Sequence, residues 1–219
     1  DFLDTLPDSR TEINSTDKIS PLLVSAYPTT LPLLIGELSS DNVMDNGGQF
    51  DTDELIEKLY LWDSPSISSY DSPYALWEGC YAAIASANMA LEGIENLGSP
   101  ASLNPQRGEA LVCRAYSHFL LANVFCMPYN PNTAESHLGI PYRTRTGDSV
   151  YPENTERGSL KNTYEQIAAD LEAGLPLIKD AAYEVPKYHF NRKAANAFAA
   201  RFYLYYQKWD KVIECCLLY

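Results

Sequence analysis

Hydrophobic side chains recur at three- and four-residue spacing in several long stretches of the chain, a pattern that predicts amphipathic helices. The first helix is predicted to begin after Ser72, a candidate N-cap, with Pro73 in its first turn and Gly98 at its end. Its inner face carries Trp77, Tyr81, Ile84, Asn88 and Leu91. The second helix, at residues 108–125, is apolar on nearly every side, which is typical of a helix buried between neighbours.

Two further helices are predicted in the last third of the chain. Ser159 marks the start of the third helix, and Pro176 kinks or ends it. Asn191 caps the fourth, whose small and aromatic residues alternate as closely crossing helices require. The inner stripes are Tyr164, Ile167, Ala168, Leu171 and Leu175 in the third helix, and Ala195, Phe198, Ala199, Phe202 and Tyr206 in the fourth. A fifth helix begins near Trp209, and because no Gly, Pro or basic residue ends it, we expect the natural chain to continue past Tyr219.

These helices form two consecutive pairs of similar length, which predicts an all-α fold of degenerate tetratricopeptide-like helical hairpins, an α-α superhelix with long irregular loops. The first pair occupies residues 73–126, and residues 159–219 hold the second pair and the start of the fifth helix. Residues 127–158 form a long loop rich in Pro, Gly, Asn and Thr. We expect Trp77 and Trp209 to lie in the core of this fold.

Residues 1–72 contain an extended arm, short helices and a polar loop. The arm, residues 1–10, is expected to pack through Phe2 and Leu3, and a short helix capped by Ser15 or Thr16 is expected to stop at Tyr27. Residues 37–54 are dense in Asp, Asn, Ser and Gly, which favour turns over helix. A short helix at residues 55–61 and a second turn-rich stretch at residues 63–71 complete the segment.

The acidic balance of the chain excludes one class of partner. A formal net charge of -13, from 29 acidic and 16 basic residues, repels phosphate backbones, so nucleic acid is not expected as a partner. A neutral glycan is indifferent to that field, whereas an acidic ligand needs a local basic pocket that the sequence does not reveal. No apolar run approaches the length of about eighteen residues that spans a bilayer.

The five cysteines show no metal-binding spacing and are expected to be free, buried thiols: Cys80, Cys113, Cys126, Cys215 and Cys216. The acidic loop residues Asp41, Asp45, Asp51 and Asp53 lack the order of ligands that a calcium loop requires, so turn formation is the favoured interpretation over calcium. No cofactor is expected.

Charged residues on otherwise apolar helices are more simply explained as ion pairs between helices than as an acid/base set, because an unpaired buried charge is costly. They are Arg107, Glu109, Arg114, Asp170 and Arg201. His118 is expected to be a packing residue with its hydrogen bonds satisfied. No nucleophile, phosphate-loop or zinc motif is present, so the chain is not expected to be an enzyme such as a glycoside hydrolase.

Several short motifs, in order along the chain, resemble the SusD/RagB family. The strongest is Arg107-Gly108-Glu109-Ala110 followed by Arg114-Ala115, which is similar to the R-x-E-A-x-x-x-R-A stretch of that family. The other matching segments are Phe2-Leu3-Asp4 with Pro7, residues 37–42 with Asp41, Trp77 with Tyr81, Ile84 and Asn88, Gly139-Ile140-Pro141, Arg157 with Tyr164, Ile167, Asp170 and Leu171, and Ala199, Arg201, Leu204 and Tyr205 with Trp209.

The resemblance implies the N-terminal part of a longer, surface-exposed lipoprotein that captures glycans for a SusC-like TonB-dependent outer-membrane transporter. It also implies a lipidated cysteine upstream of Asp1. In this family the polar loop contributes to the glycan site, which places Asp45, Asn46, Gln49 and Phe50 there, with Trp62 and Tyr70 in or beside it. For Trp62 a core position at the end of the short helix at residues 55–61 is the favoured interpretation over ligand binding. The alternative function is a peptide-binding or purely protein-docking helical module.

Overall fold

The computed structural model describes residues 13, 15–48, 53–65, 69–147 and 156–218. The predicted packing of Phe2 and Leu3, and the predicted loop residues Gln49, Phe50 and Asp51, lie outside these residues. Over the described ranges the chain forms eight α-helices joined by turns and short 3-10 helices, with no β-strand. The α-helices are α1 (Ile19–Leu23), α2 (Leu33–Leu38), α3 (Glu54–Tyr60), α4 (Pro73–Asn96), α5 (Asn104–Phe125), α6 (Leu160–Gly174), α7 (Arg192–Tyr205) and α8 (Trp209–Leu217). The all-α fold predicted from sequence is therefore confirmed.

The N-terminal ends of four helices are fixed by side-chain caps. Ser72, Ser159 and Asn191 cap α4, α6 and α7 as predicted, and Asp53 caps α3. The side-chain oxygen of Ser72 accepts from the Ala75 N–H at 3.1 Å, and that of Ser159 accepts from the Asn162 N–H at 3.1 Å. The side-chain oxygen of Asn191 accepts from the Ala194 N–H at 2.9 Å, and that of Asp53 accepts from the Leu55 N–H at 2.8 Å. Each cap satisfies an N–H group that has no partner within its own helix.

Helix α5 lies at the centre of the fold, packed against α4 on one side and α6 on the other, while α7 packs against α8. The crossing of α5 and α6 is close because Gly108 and Gly174 face each other. A Cβ atom at Gly108 would lie 2.7 Å from the carbonyl oxygen of Gly174. The side chains of α6 and α7 also meet, with the rings of Tyr164 and Phe202 stacked 5.6 Å apart.

Three hydrophobic clusters build the core. The largest joins α5, α6 and α7 around Phe119, Ile167 and Phe202. The second joins α2 and α3 to α4 and α5, and the third joins α1 to the same two helices. Every cluster includes side chains of α5, which explains why its sequence is apolar on nearly every side.

Some local predictions were wrong. Helix α5 begins at Asn104 rather than residue 108, because Pro105 lies in the first turn, where its missing N–H costs nothing. Helix α2 had not been predicted; it lies between Pro32 and the polar loop. Trp209 is 58% exposed rather than buried, because α8 contacts α7 through Val212 and Cys215 instead. Trp77 is half-buried and packs against the second cluster.

All five cysteines are free, but only Cys80, Cys113 and Cys215 are buried. Cys126 is half-buried and Cys216 is exposed, so the expectation of buried thiols was wrong for Cys216. It follows Cys215 directly, and the two side chains therefore leave α8 in different directions. Among the helices of the described ranges, none combines the length and the apolar character that crossing a membrane requires.

Candidate ligand-binding surface and interior polar network

Trp62 lies on the surface, one residue beyond the turn that ends α3. Its side chain is 80% exposed, and its backbone adopts a left-handed conformation with φ of 57°. The core position considered for Trp62 from the sequence is therefore wrong. Helix α3 buries Leu55 and Leu59 instead, and the chain turns sharply after Leu61, which directs the indole outward.

Tyr70 is a second exposed aromatic residue, and its ring is held in place. The side chain is 67% exposed, yet its hydroxyl donates a hydrogen bond to the carbonyl oxygen of Thr29 at 2.7 Å. The Thr30 hydroxyl donates in return to the Tyr70 carbonyl at 3.4 Å. Fixing the ring before a ligand arrives lowers the entropy that binding would cost.

Helix α2 separates the two rings. Tyr70 is bonded to residues just before α2, whereas the Ser39 hydroxyl just after α2 donates to the Leu59 carbonyl, near Trp62, at 3.2 Å. Tyr70 and the end of α3 that precedes Trp62 are thus bonded to segments at opposite ends of α2, a six-residue helix that spans roughly 9 Å at 1.5 Å per residue. The predicted polar loop begins at the C-terminal end of α2, which is also the end bonded to the segment beside Trp62.

The described part of the polar loop is exposed and held by local turns. The Asp45 carboxylate accepts from the Gly47 N–H at 2.8 Å, and the Ser40 hydroxyl accepts from the Asn42 N–H at 3.2 Å. Asp41 and Asn46 are also exposed. Asp45 thus acts as a turn acceptor, and across the described ranges no three His, Cys, Asp or Glu side chains converge on a metal site.

A buried network joins α4, α5 and α6. The Arg114 guanidinium donates to both carboxylate oxygens of Asp170, at 2.7 Å from Nε and 2.6 Å from Nη2. Its Nη1 also donates to the amide oxygen of Asn88 at 2.9 Å. The predicted ion pair between these helices is present, and its donors are satisfied as a buried charge requires.

The network binds an extended segment, residues 140–147, that we call the strap. Asn88 Nδ2 donates to the Arg143 carbonyl at 3.1 Å, and Arg114 Nη1 donates to the Thr144 carbonyl at 3.2 Å. The Tyr142 hydroxyl donates to Asp170 at 2.7 Å. Side chains of α4 and α5 thus take the place of a β-sheet partner for the backbone of the strap, and Asp170 of α6 holds the Tyr142 side chain.

His118 completes the attachment of the strap, and the hydrogen bonds define its tautomer. Its Nε2 accepts from the backbone N–H of Arg143 at 3.1 Å, so Nδ1 carries the proton and donates to the Arg114 carbonyl at 2.8 Å. The ring stacks on Tyr142 with centroids 3.8 Å apart. Burial lowers the pKa of His118 from 6.5 to about 3, so the ring is neutral and packed, as expected from the sequence.

Comparison with known proteins identifies the family. A family model described as "Starch-binding associating with outer membrane", a SusD-like family, matches residues 1–204. The chain belongs to this SusD-like family. The resemblance found in the sequence motifs is therefore confirmed. No curated protein matches the sequence.

Solved structures share the fold of this SusD-like chain. A SusD superfamily protein from Bacteroides thetaiotaomicron has 23% identity and a TM-score of 0.68 over 91% of this chain and 44% of its own. A SusD-like carbohydrate binding protein from Bacteroides vulgatus has 19% identity and a TM-score of 0.71, over 92% and 44%. Surface glycan-binding protein A from Bacteroides fluxus has 24% identity and a TM-score of 0.64, over 92% and 42%. The chain thus spans less than half the length of these proteins.

The strongest SusD-like motif, residues 107–115, lies on α5 and has three structural uses. Gly108 permits the close crossing with α6, and Arg114 forms the buried ion pair. Glu109, which is fully buried, accepts from the Tyr27 hydroxyl at 2.6 Å and pairs with His189 Nδ1 at 2.8 Å. Its predicted role in an ion pair between helices is therefore corrected: its partners come from the connections outside α5.

The two remaining charged residues of the predicted pairing set form no ion pair with another described residue. Arg107 and Arg201 are both exposed, and among the described residues neither forms an ion pair. Arg201 is exposed at the edge of the buried face of α7 that carries Phe198 and Phe202. Arg107 lies in the first two turns of α5, beyond the reach of the Asp170 carboxylate that binds Arg114. The prediction of ion pairs was wrong for both.

Proposed function

We propose that this chain forms the N-terminal, mainly scaffolding part of a surface lipoprotein that binds glycans and passes them to a SusC-like TonB-dependent outer-membrane transporter. The family description names starch binding and outer-membrane association, and two structural neighbours are named as carbohydrate-binding and glycan-binding proteins. A binding protein rather than an enzyme also agrees with the interior charges, because Arg114 and Asp170 are held in an ion pair and one oxygen of the Glu109 carboxylate is bonded to Tyr27 and His189.

The observation that carries the proposal is the pair of exposed aromatic rings at Trp62 and Tyr70. Sugars bind proteins by placing a C–H face on an aromatic ring while amides and carboxylates take the hydroxyl groups. Asp45 and Asn46 supply such polar groups in the neighbouring loop, and we include Gln49 and Phe50 in the proposed site. The two rings, whose segments are bonded to opposite ends of α2, suit an oligosaccharide better than a single sugar.

Binding to a panel of neutral polysaccharides, measured by isothermal titration calorimetry, tests this proposal. We expect Trp62→Ala and Tyr70→Ala each to weaken binding about tenfold, which corresponds to about 1.4 kcal/mol. Trp209→Ala is the matched control, because Trp209 is an exposed tryptophan on α8, far from α2 in the fold. The proposal fails if no glycan binds, or if the Trp209 variant loses as much affinity as the Trp62 variant.

The partner and the anchor are proposed together with the glycan role. We propose that the helical scaffold docks on the transporter and that a lipid attached upstream of Asp1 holds the protein at the extracellular face of the outer membrane. Co-purification of the transporter with the natural protein from detergent-solubilised outer membranes tests both points. Recovery of the natural protein in the cytoplasmic fraction would contradict them.

A peptide-binding role is the second candidate, and one observation favours it. An open groove of about 1090 Å³ lies between α6, α7 and α8, floored by Leu175, Tyr203 and Leu218 and edged by charges of both signs. Helical-repeat proteins bind extended segments in concave surfaces of this kind. Mass spectrometry of the purified protein distinguishes the two roles, since co-purified peptides without glycan affinity would favour peptide binding.

A further inference from the structure

A second concave site lies between the end of α4, the first half of α5 and the strap. It encloses about 380 Å³, within the range of small-molecule pockets. Leu91, Ile94 and Leu111 are the apolar residues of its lining, and the rest of the lining is polar or charged. The pocket therefore offers mainly polar contacts, as the hydroxyl groups of a sugar require.

Of the three arginines that line the pocket, one has no acidic partner among the described residues. Arg145 pairs with Glu95 at 3.5 Å, and Glu92 accepts hydrogen bonds from the backbone and the hydroxyl of Thr146. Arg114, at the back of the pocket, is neutralised by Asp170. Arg107 also lines the pocket, and no acidic residue in the described ranges pairs with it.

The position of Arg107 follows from the helix geometry. Arg107, Leu111 and Arg114 occur at i, i+4 and i+7 and therefore lie along one face of α5, which is the wall of the pocket. Only Arg114 reaches the carboxylate that α6 supplies. The guanidinium of Arg107 is left as an exposed fork of N–H donors, a geometry that matches a carboxylate better than a hydroxyl.

We propose that this pocket binds the carboxylate-bearing ring of an acidic saccharide, a hexuronate, with Arg107 holding the carboxylate. The proposal rests on the proposed function only for the saccharide class of the ligand. Glu92 and Thr144 are the nearby acceptors for ring hydroxyl groups. The net charge of -13 opposes the approach of an anion. That field is largely screened beyond about 10 Å at 0.1 M salt, so the local guanidinium governs binding.

Ligand-observed NMR titrations of this chain in 0.1 M salt test the proposal, with sodium glucuronate, glucose and sodium acetate as probes. Glucuronate is expected to bind at least tenfold more tightly than either of the others. Arg107→Gln abolishes the preference for glucuronate, and Arg107→Lys retains part of it because a positive charge remains. Arg201→Gln is the matched control, since Arg201 is likewise exposed and without an ion pair among the described residues, but does not line this pocket.

Two results would overturn the proposal. One is equal binding of glucose and glucuronate, or of glucuronate to the Arg107→Gln variant and the parent chain. The other is acetate binding as tightly as glucuronate, which would identify a simple anion site. Circular dichroism of the Arg107 variants verifies folding, and their spectra are expected to match that of the parent chain because the side chain is exposed. Trp62→Ala leaves glucuronate binding unchanged, which separates this pocket from the aromatic surface.

Discussion

Arg114 and Asp170 form a two-pronged ion pair between the middle of α5 and α6, with donor–acceptor distances of 2.7 and 2.6 Å. Both side chains are about nine-tenths buried, and each also bonds the strap or its anchor residues. The pair therefore links two helices to the strap, a segment whose backbone is held by side chains. Removing the ion pair therefore affects the strap as well as the two helices.

Breaking this pair from one side should be strongly destabilising. Arg114→Met and Asp170→Leu are each expected to lower the free energy of unfolding by about 3–5 kcal/mol, because each leaves a buried charge uncompensated. The double variant should lose less than the sum of the two, since no charge remains to be paired. Urea denaturation measures all three, with Arg201→Met as the exposed control, expected within about 0.5 kcal/mol of the parent. Additive losses would show that the pair is not coupled.

The glycine contact between α5 and α6 gives a second prediction. Gly108→Ala is expected to cost about 1–3 kcal/mol, because the new Cβ would lie 2.7 Å from the Gly174 carbonyl oxygen and the helices must separate. Gly36→Ala in α2 is the matched control: nothing lies within 4 Å of its added Cβ. That variant should gain about 0.5–1 kcal/mol from helix propensity. Thermal unfolding compares them, and a neutral Gly108→Ala would contradict the close crossing.

Sequence patterns predict the long helices of this fold because the determinants are local. A cap such as Ser72, Ser159 or Asn191 bonds the backbone two or three residues further along the chain, so its partner is visible in the sequence. Helix α2 was not predicted, because a helix of six residues after Pro32 is too short to show a hydrophobic period. Short elements of this kind are defined by tertiary packing, here on α3 and α4.

Charge pairing is harder to predict, as Arg107 and Arg114 illustrate. The two residues lie on one face of the same helix, yet only Arg114 is paired, because its partner Asp170 comes from a different helix. The strap was not predicted for the same reason. Tyr142 and Arg143 lie in a loop without hydrophobic periodicity, and side chains from α4, α5 and α6 fix the path of this loop. The outward position of Trp62 likewise follows from the turn after Leu61, where Trp62 adopts a left-handed conformation that the sequence does not reveal.

The adjacent cysteines of α8 provide a chemical check of the packing. Burial raises the pKa of Cys80 to about 12 and also raises the pKa of Cys113 and Cys215, whereas Cys216 is exposed. Because the thiolate is the reactive form, iodoacetamide at pH 8 should label Cys216 first and leave Cys80, Cys113 and Cys215 unmodified. Intact mass spectrometry gives the number of labelled cysteines, and the same reaction in urea should label all five thiols. Rapid labelling of Cys215 in the native protein would contradict the contact between α7 and α8.

His118 should make the stability of the fold depend on pH. Its pKa is lowered from 6.5 to about 3 in the folded state, so between these values the unfolded chain binds a proton that the folded chain does not. The free energy of unfolding therefore falls as the pH drops from about 6.5 towards 3, with a slope of up to about 1.4 kcal/mol per pH unit from this group.

Protonation would also place a donor at Nε2 against the Arg143 N–H, which detaches the strap. His118→Asn replaces the imidazole by a smaller polar amide that cannot titrate, so it should lower stability at pH 7 while flattening the pH dependence between 4 and 6. Urea denaturation at a series of pH values measures both effects, and because the acidic side chains titrate equally in the two proteins, the difference between the slopes isolates His118. Parallel slopes would mean that the imidazole is protonated in the folded protein and that the strap is held in another way.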